Sequence, residues 1–392
     1  MAVIPANILC NGQAHMRNFG QSDHWERMTS LDRFVSTGTA ERKLDEFAFV
    51  PNPGNLVAKK FVSPGLRPGA PLVVVLHGCT QTPEGYDRGT GWTHLAERHG
   101  FAVLYPEQSR ANNANGCFNW FEPGDMRRSA GEPASIKAMI DQMVAHHALD
   151  PSRVYITGLS AGAAMAGVMI ATYPEVFAGG GLIAGLPYGT ARSMPAAFSR
   201  MQSRGRETGT QLGDLVRNAS SHTGPWPTVS IWHGTADMTV NASNADATVA
   251  QWREVHDLAD VQSVEDVLDG HPHRVWRDAS GRICVEEYAI TGMGHGTPLD
   301  AGNIDNAEIA GAYLLDVGLS STQCLATSWG LIEAQAVAAP RTVAPVTRRP
   351  TPTPKPMPTS PDKPTFASAR ERVRPDVQKI IEDALRSAGL MQ

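Results

Sequence analysis

The sequence predicts an α/β fold with a mostly parallel central sheet covered by helices on both faces, and two observations predict it. Short β-branched apolar runs alternate with helical patterns along most of the chain. One such run leads directly into a glycine-rich turn followed by a helix of small residues. Length and composition agree, since 392 residues with 42% hydrophobic content can bury a sizeable core.

Leu72 to Leu76 (LVVVL) is an uninterrupted apolar run ending in His77-Gly78, the pattern of a strand buried on both faces and followed by a functional loop. Trp92 to His99 has helical spacing, and Phe101 to Tyr105 (FAVLY) reads as a second buried strand closing at Pro106. Gly131-Glu132-Pro133 opens a long helical pattern reaching about His147, with Pro133 suited to a first turn. Arg153 to Thr157 is the next strand, and Ala161 to about Thr172 the next helix. Later strands are expected at Leu182-Ile183-Ala184, Val229 to Trp232 and Cys284 to Ile290.

The expected organisation is an N-terminal extension over 1–45, a catalytic domain over 46–335, a Pro/Thr-rich linker over 336–365 and a terminal amphipathic helix over 366–392. Nine prolines between Pro340 and Pro364 favour an extended, solvated segment. Beyond it Val377, Ile380, Ile381, Ala384 and Leu385 fall at helical spacing, with Gly389 as the C-cap. A lone helix cannot bury such a stripe, so it is expected to dock on its own domain, a second copy or a polymer surface.

Thirty-four basic against 39 acidic residues give a formal charge of −5, which offers no general attraction for nucleic acid. No stretch approaches the ~20 apolar residues of a membrane span. Pro5 and Asn7 interrupt the short apolar stretch at the N-terminus, and no basic residue precedes it, so no signal peptide is recognisable. The five cysteines lack the paired spacing of a zinc site. They allow either two bridges with one free thiol or five reduced thiols.

Gly158-Leu159-Ser160-Ala161-Gly162 is a GxSxG pentapeptide. A random chain of this glycine content would show one roughly 0.2 times, so the pentapeptide gains its weight from the apolar strand entering it and the small-residue helix leaving it. In that setting Ser160 is the expected nucleophile. A serine hydroxyl becomes reactive when a histidine takes its proton and a carboxylate orients the histidine. Both partners follow in suitable loops. Asp237 lies in His233-Gly234-Thr235-Ala236-Asp237 after the strand VSIW, with Asp246 as its competitor, and His295 lies between two glycines after CVEEYAI. His233 precedes its turn, where it is better placed to brace the loop. The oxyanion needs donors, expected from the backbone N–H of Ala161 and of Cys79 in the loop His77-Gly78-Cys79-Thr80-Gln81. This chemistry requires no cofactor and no metal.

With these residues in place, the sequence from about Phe47 to Gly318 resembles the polyhydroxybutyrate (PHB) depolymerase family of esterases, which also contains feruloyl and acetylxylan esterases. Five segments in family order carry the resemblance: His77 to Gln81, Cys117-Phe118-Asn119-Trp120-Phe121, Gly158 to Gly162, Trp232 to Asp237, and Gly294-His295-Gly296. It implies the α/β-hydrolase fold, a triad of Ser160, Asp237 and His295, and a Cys79–Cys117 disulfide holding the oxyanion loop. It also implies an extracellular enzyme, and with no recognisable signal peptide the cytoplasm stands as the alternative. Trp120, Phe121 and Trp232 stand near the expected site and are candidates to line the acyl cleft, with core packing as the alternative. Glu122, Asp125, Arg127 and Arg128 form a polar segment that reads as a solvated charge cluster.

The leading expectation is a hydroxyalkanoate esterase acting on polymer or oligomer. The alternatives are a feruloyl or acetylxylan esterase, a prolyl-oligopeptidase-type peptidase, and a non-catalytic polymer-binding protein. The ~70 residues before LVVVL cannot form the propeller of such peptidases, and a complete nucleophile, base and acid argue against a non-catalytic role.

Overall fold

The computed structural model describes residues 44–203 and 205–333; the expected linker and terminal helix, and nearly all of the N-terminal extension, lie outside the described residues. The chain first forms β1 (Asp45–Glu46), β2 (Val57–Val62), β3 (Leu72–Leu76), α1 (Pro83–Thr90), α2 (Trp92–His99), β4 (Ala102–Glu107) and α3 (Gly131–His147). The middle of the fold is β5 (Val154–Leu159), α4 (Ala161–Thr172), β6 (Gly179–Ile183), α5 (Met194–Met201), α6 (Gly209–Arg217), β7 (Thr228–Gly234) and α7 (Ser243–Val255). It closes with β8 (Val264–Leu268), β9 (His271–Arg277), β10 (Ile283–Ile290), β11 (Thr297–Leu299), β12 (Leu314–Asp316) and α8 (Ser321–Ser328).

Among the described residues the main sheet has ten strands in the order β1-β2-β4-β3-β5-β6-β7-β10-β9-β8. The centre from β4 to β10 is parallel, and an antiparallel pair extends each edge. Alternation across the pleat explains the apolar runs. Leu72, Val74 and Leu76 of β3 enter the core shared with α3 and α4, while Val73 and Val75 enter the core shared with α2 and α8. Both faces are covered, so every position must be apolar.

Three departures from expectation have local causes. β4 runs on through Pro106 to Glu107; its pairing with β3 ends at Leu104, and beyond that it pairs only with β2, where a missing N–H is tolerated. β6 starts at Gly179, because three consecutive glycines carry no strand propensity that a sequence reading could detect. The hairpin β8–β9 was not expected, although Asp269-Gly270, both at positive φ, is the two-residue turn that such hairpins favour.

The topology places the functional loops together. β3 and β5 are neighbours, with Leu76 opposite Gly158, and β7 and β10 are neighbours, with Gly234 opposite Ile290. The His77–Gln81 loop, Ser160, Asp237 and His295 therefore all follow carboxyl ends of parallel strands, the end where open α/β sheets hold their ligands.

Candidate active site

Ser160 sits between β5 and α4 at φ 57° and ψ −117°, a left-handed conformation that serine rarely adopts and that costs about 1–3 kcal/mol. The surrounding glycines make the turn sterically feasible. A Cβ on Gly158 would lie 2.6 Å from the carbonyl carbon of Gly162, and one on Gly162 would lie 2.5 Å from the His77 carbonyl oxygen. The nucleophile turn and the end of β3 thus meet backbone to backbone.

His295 Nε2 lies 2.9 Å from Ser160 Oγ, and its Nδ1 lies 2.7 Å from Asp237 Oδ2. The other carboxylate oxygen, Oδ1, accepts the N–H groups of Thr239 at 2.8 Å and Val240 at 2.9 Å. His233 adds a third side chain: its Nε2 lies 2.8 Å from the Val240 carbonyl and 3.3 Å from Asp237 Oδ2. A proton on Nε2 satisfies both contacts and leaves the buried Nδ1 without a partner among the described residues. Burial opposes ionisation of Asp237, but hydrogen bonds from His233 and His295 outweigh it and hold the carboxyl well below the usual carboxylate range. The expected bracing role of His233 has a geometric basis in these contacts. Asp246, the competing acid, is far more exposed, in the first turn of α7, and lies 3.5 Å from Arg274.

The N–H of Ala161 opens α4 and that of Cys79 lies in the loop after β3; neither has a hydrogen-bond partner among the described residues. Around Cys79 the N–H groups of Gly78, Thr80 and Gln81 are all engaged, by Gln81 Oε1, the Asn115 carbonyl and the Gly78 carbonyl. Two unengaged donors, one directly after Ser160 and one in the loop after the neighbouring strand β3, are the candidates for an oxyanion hole.

Cys79 and Cys117 are joined by a disulfide, so the reading with all thiols reduced is replaced; Cys284 is free and buried. The Cys117 segment is anchored in turn by a polar network that the sequence reading did not find. Gln108 Nε2 donates to the Cys117 carbonyl at 3.0 Å and to Glu132 Oε1 at 2.5 Å, while Glu132 accepts both the backbone and side-chain N–H groups of Asn119. Burial pushes the Glu132 carboxyl up to about 8, with the charge of Asp125 adding to it and the bonds from Gln108 and Asn119 opposing. No spacing rule marks these residues, because they meet only through the fold.

Trp232 is corrected. It has no exposed surface, stacks on Tyr288 at 3.6 Å and bonds its Nε1 to Ser230, so it packs the core and cannot line a cleft. Trp120 and Phe121 are buried to 7% and 5% exposure and form an edge-to-face pair on the segment tied to the oxyanion loop. The charge cluster is also not simply solvated: Arg128 pairs with Glu175 at 2.6 Å and lies over the Tyr173 ring, while Asp125 accepts the Glu132 N–H.

A parallel sheet carrying a serine on a strained turn, beside a histidine and a buried carboxylate, defines a serine hydrolase of the α/β type. The chain belongs to the esterase PHB depolymerase family, whose model matches residues 60–267, a span that includes Ser160 and Asp237. It is 50% identical over 286 residues to poly(3-hydroxyalkanoate) depolymerase C of Paucimonas lemoignei, covering 72% of this chain and 69% of that one. Over 258 residues it is 30% identical to an acetylxylan esterase of Coprinopsis cinerea, covering 64% and 68%. The solved acetyl xylan esterase from Aspergillus awamori superposes with a TM-score of 0.60 at 26% identity, covering 65% of this chain and 94% of that one. Among the described residues no helix is long and apolar enough to cross a membrane.

Proposed function

We propose that this enzyme hydrolyses esters of short hydroxyalkanoates, as polymer or oligomer, through an acyl-enzyme on Ser160. The observation that carries the mechanism is the relay Ser160–His295–Asp237, with contacts of 2.9 and 2.7 Å. His295 Nε2 takes the hydroxyl proton as Ser160 Oγ attacks the ester carbonyl, and Asp237 stabilises the imidazolium that forms. The negative oxygen of the tetrahedral intermediate is received by the N–H groups of Cys79 and Ala161. Collapse of the intermediate breaks the ester C–O bond, and His295 returns its proton to the departing alcohol. Water, deprotonated by the same histidine, then attacks the acyl-enzyme, releasing the acid and restoring Ser160.

The substrate class rests on the 50% identity to a protein named as a poly(3-hydroxyalkanoate) depolymerase, against 30% for one named as an acetylxylan esterase. Of the aromatic candidates for acyl contact Trp120 and Phe121 remain, since unlike Trp232 each keeps a little exposed surface, on the segment that the Cys79–Cys117 bond ties to the His77–Gln81 loop. Comparing kcat/KM on hydroxybutyrate oligomers, methyl ferulate and acetylated xylan tests the assignment. The oligomers should rank first, and a higher value on ferulate or acetylated xylan would overturn the substrate reading while leaving the mechanism intact.

A further inference from the structure

We propose that His77 is a positioning residue that aims the Cys79 N–H at the oxyanion; this rests on the serine-esterase reading of the site. The argument starts from the peptide group between Gly78 and Cys79. A peptide is planar and trans, so its carbonyl and its N–H point in opposite directions, and fixing one fixes the other. The Gly78 carbonyl oxygen lies 2.8 Å from His77 Nδ1 and also accepts the Gln81 N–H at 3.3 Å. The far side of the same peptide is the unpartnered Cys79 N–H.

The tautomer of His77 follows from its other nitrogen. Nε2 accepts the backbone N–H of Gln108 at 3.2 Å, so it holds a lone pair and the proton sits on Nδ1, where it donates to Gly78. The ring is buried, 2% exposed, against Phe118 at 5.1 Å. Burial also disfavours the doubly protonated ring, which could not accept from Gln108. Gln108 is in turn fixed by Cys117 and Glu132, so the ring is tied to the same network that holds the disulfide.

Two consequences follow for catalysis. A carbonyl that accepts hydrogen bonds polarises its own peptide and makes the N–H a stronger donor. Held in direction, that N–H needs no reorientation as charge develops on the substrate oxygen. Both effects act on the transition state, so they should appear in kcat and not in KM.

Two substitutions separate the nitrogens. In His77→Asn the side-chain amide nitrogen falls near Nδ1 and keeps the donor to Gly78; in His77→Gln the amide falls near Nε2, keeping the Gln108 contact and losing that donor. On a soluble p-nitrophenyl ester His77→Gln should lower kcat about 10- to 100-fold, somewhat less than removing an oxyanion donor outright, with KM within about twofold. His77→Asn should restore kcat to within a few-fold of wild type. A matched thionoester supplies a second readout, since its sulfur accepts hydrogen bonds poorly: the oxo-to-thiono rate ratio should fall in His77→Gln and hold in His77→Asn. An unchanged ratio in folded His77→Gln overturns the inference. If that variant does not fold, a collapsed ratio in folded His77→Asn overturns it and a held ratio sustains it. Ser160→Ala serves as control: retention of a tenth of wild-type turnover there removes the site reading itself, whereas a loss on the order of 10⁶ in the control with an unchanged ratio removes only the role of His77.

Discussion

His295 Nδ1 and Asp237 Oδ2 lie 2.7 Å apart although 58 residues separate them in sequence, because β7 and β10 are neighbours and deliver both side chains from the same end of the sheet. Asp237→Asn would leave the ring position largely intact while favouring the wrong tautomer. A fall in kcat of roughly 10⁴ is expected. Asp246→Asn, which removes only an exposed partner of Arg274, should leave kcat within a few-fold. Steady-state kinetics on a soluble ester would expose an error if the two variants ranked in the opposite order.

Ser160→Ala should reduce kcat on the order of 10⁶ while the protein stays folded, since among the described residues the hydroxyl bonds only to His295. Relief of nothing else in the turn is expected, because alanine meets the same positive φ as serine. Retention of a tenth of wild-type activity would move the nucleophile elsewhere.

The Cys79–Cys117 bond closes a loop with a sequence separation of 38. A loop of that length corresponds to roughly 4 kcal/mol in the chain-entropy relation, within a usual range of about 2–4. Reduction, or Cys117→Ser, should therefore lower Tm by several degrees and reduce kcat as the oxyanion loop loosens. Equal melting curves with and without reductant, in protein shown by mass spectrometry to change redox state, would contradict this.

Glu308 predicts a pH dependence. Burial pushes its carboxyl up to about 7, against hydrogen bonds from Ser320 and the Asp300 N–H, and with the charges of Asp300 and Asp316 adding. The unfolded chain releases this proton near 4.5. Folding thus binds the proton more tightly, so the stability tied to this group is greatest below about 4.5, declines as pH rises towards 7, and then levels. Glu308→Gln can accept from Asp300 and donate to Ser320 without a charge. Its Tm should fall less than that of wild type between pH 4.5 and 8, by several degrees. Parallel Tm–pH curves for the two proteins would refute the assignment.

The sequence exposed those parts whose chemistry is local. Leu72 to Leu76 and Ala161 to Thr172 coincide with β3 and α4, because a fully apolar strand and a small-residue helix each declare themselves over a few residues. Ser160, Asp237 and His295, which the GxSxG pattern, the chain order and the glycine-flanked loops at strand ends single out, are brought into contact. The expectation failed where a residue's meaning depended on what lay across the fold. Trp232 sits beside the Asp237 loop in sequence, yet β7 points its ring into the core against Tyr288. The work of Gln108, Glu132 and Asn119 was invisible for the same reason, since their partners lie up to 24 residues away along loops without periodicity.

The meeting of the Gly158–Gly162 turn with the end of β3 has an evolutionary consequence. Main-chain atoms meet there, so side chains other than those at Gly158 and Gly162 and those that hold the His77–Gln81 loop can change without moving the nucleophile relative to that loop. The bond-breaking geometry is thereby insulated from drift in the walls of the cleft. A chain built this way can exchange side chains along its cleft while keeping the turn that presents Ser160.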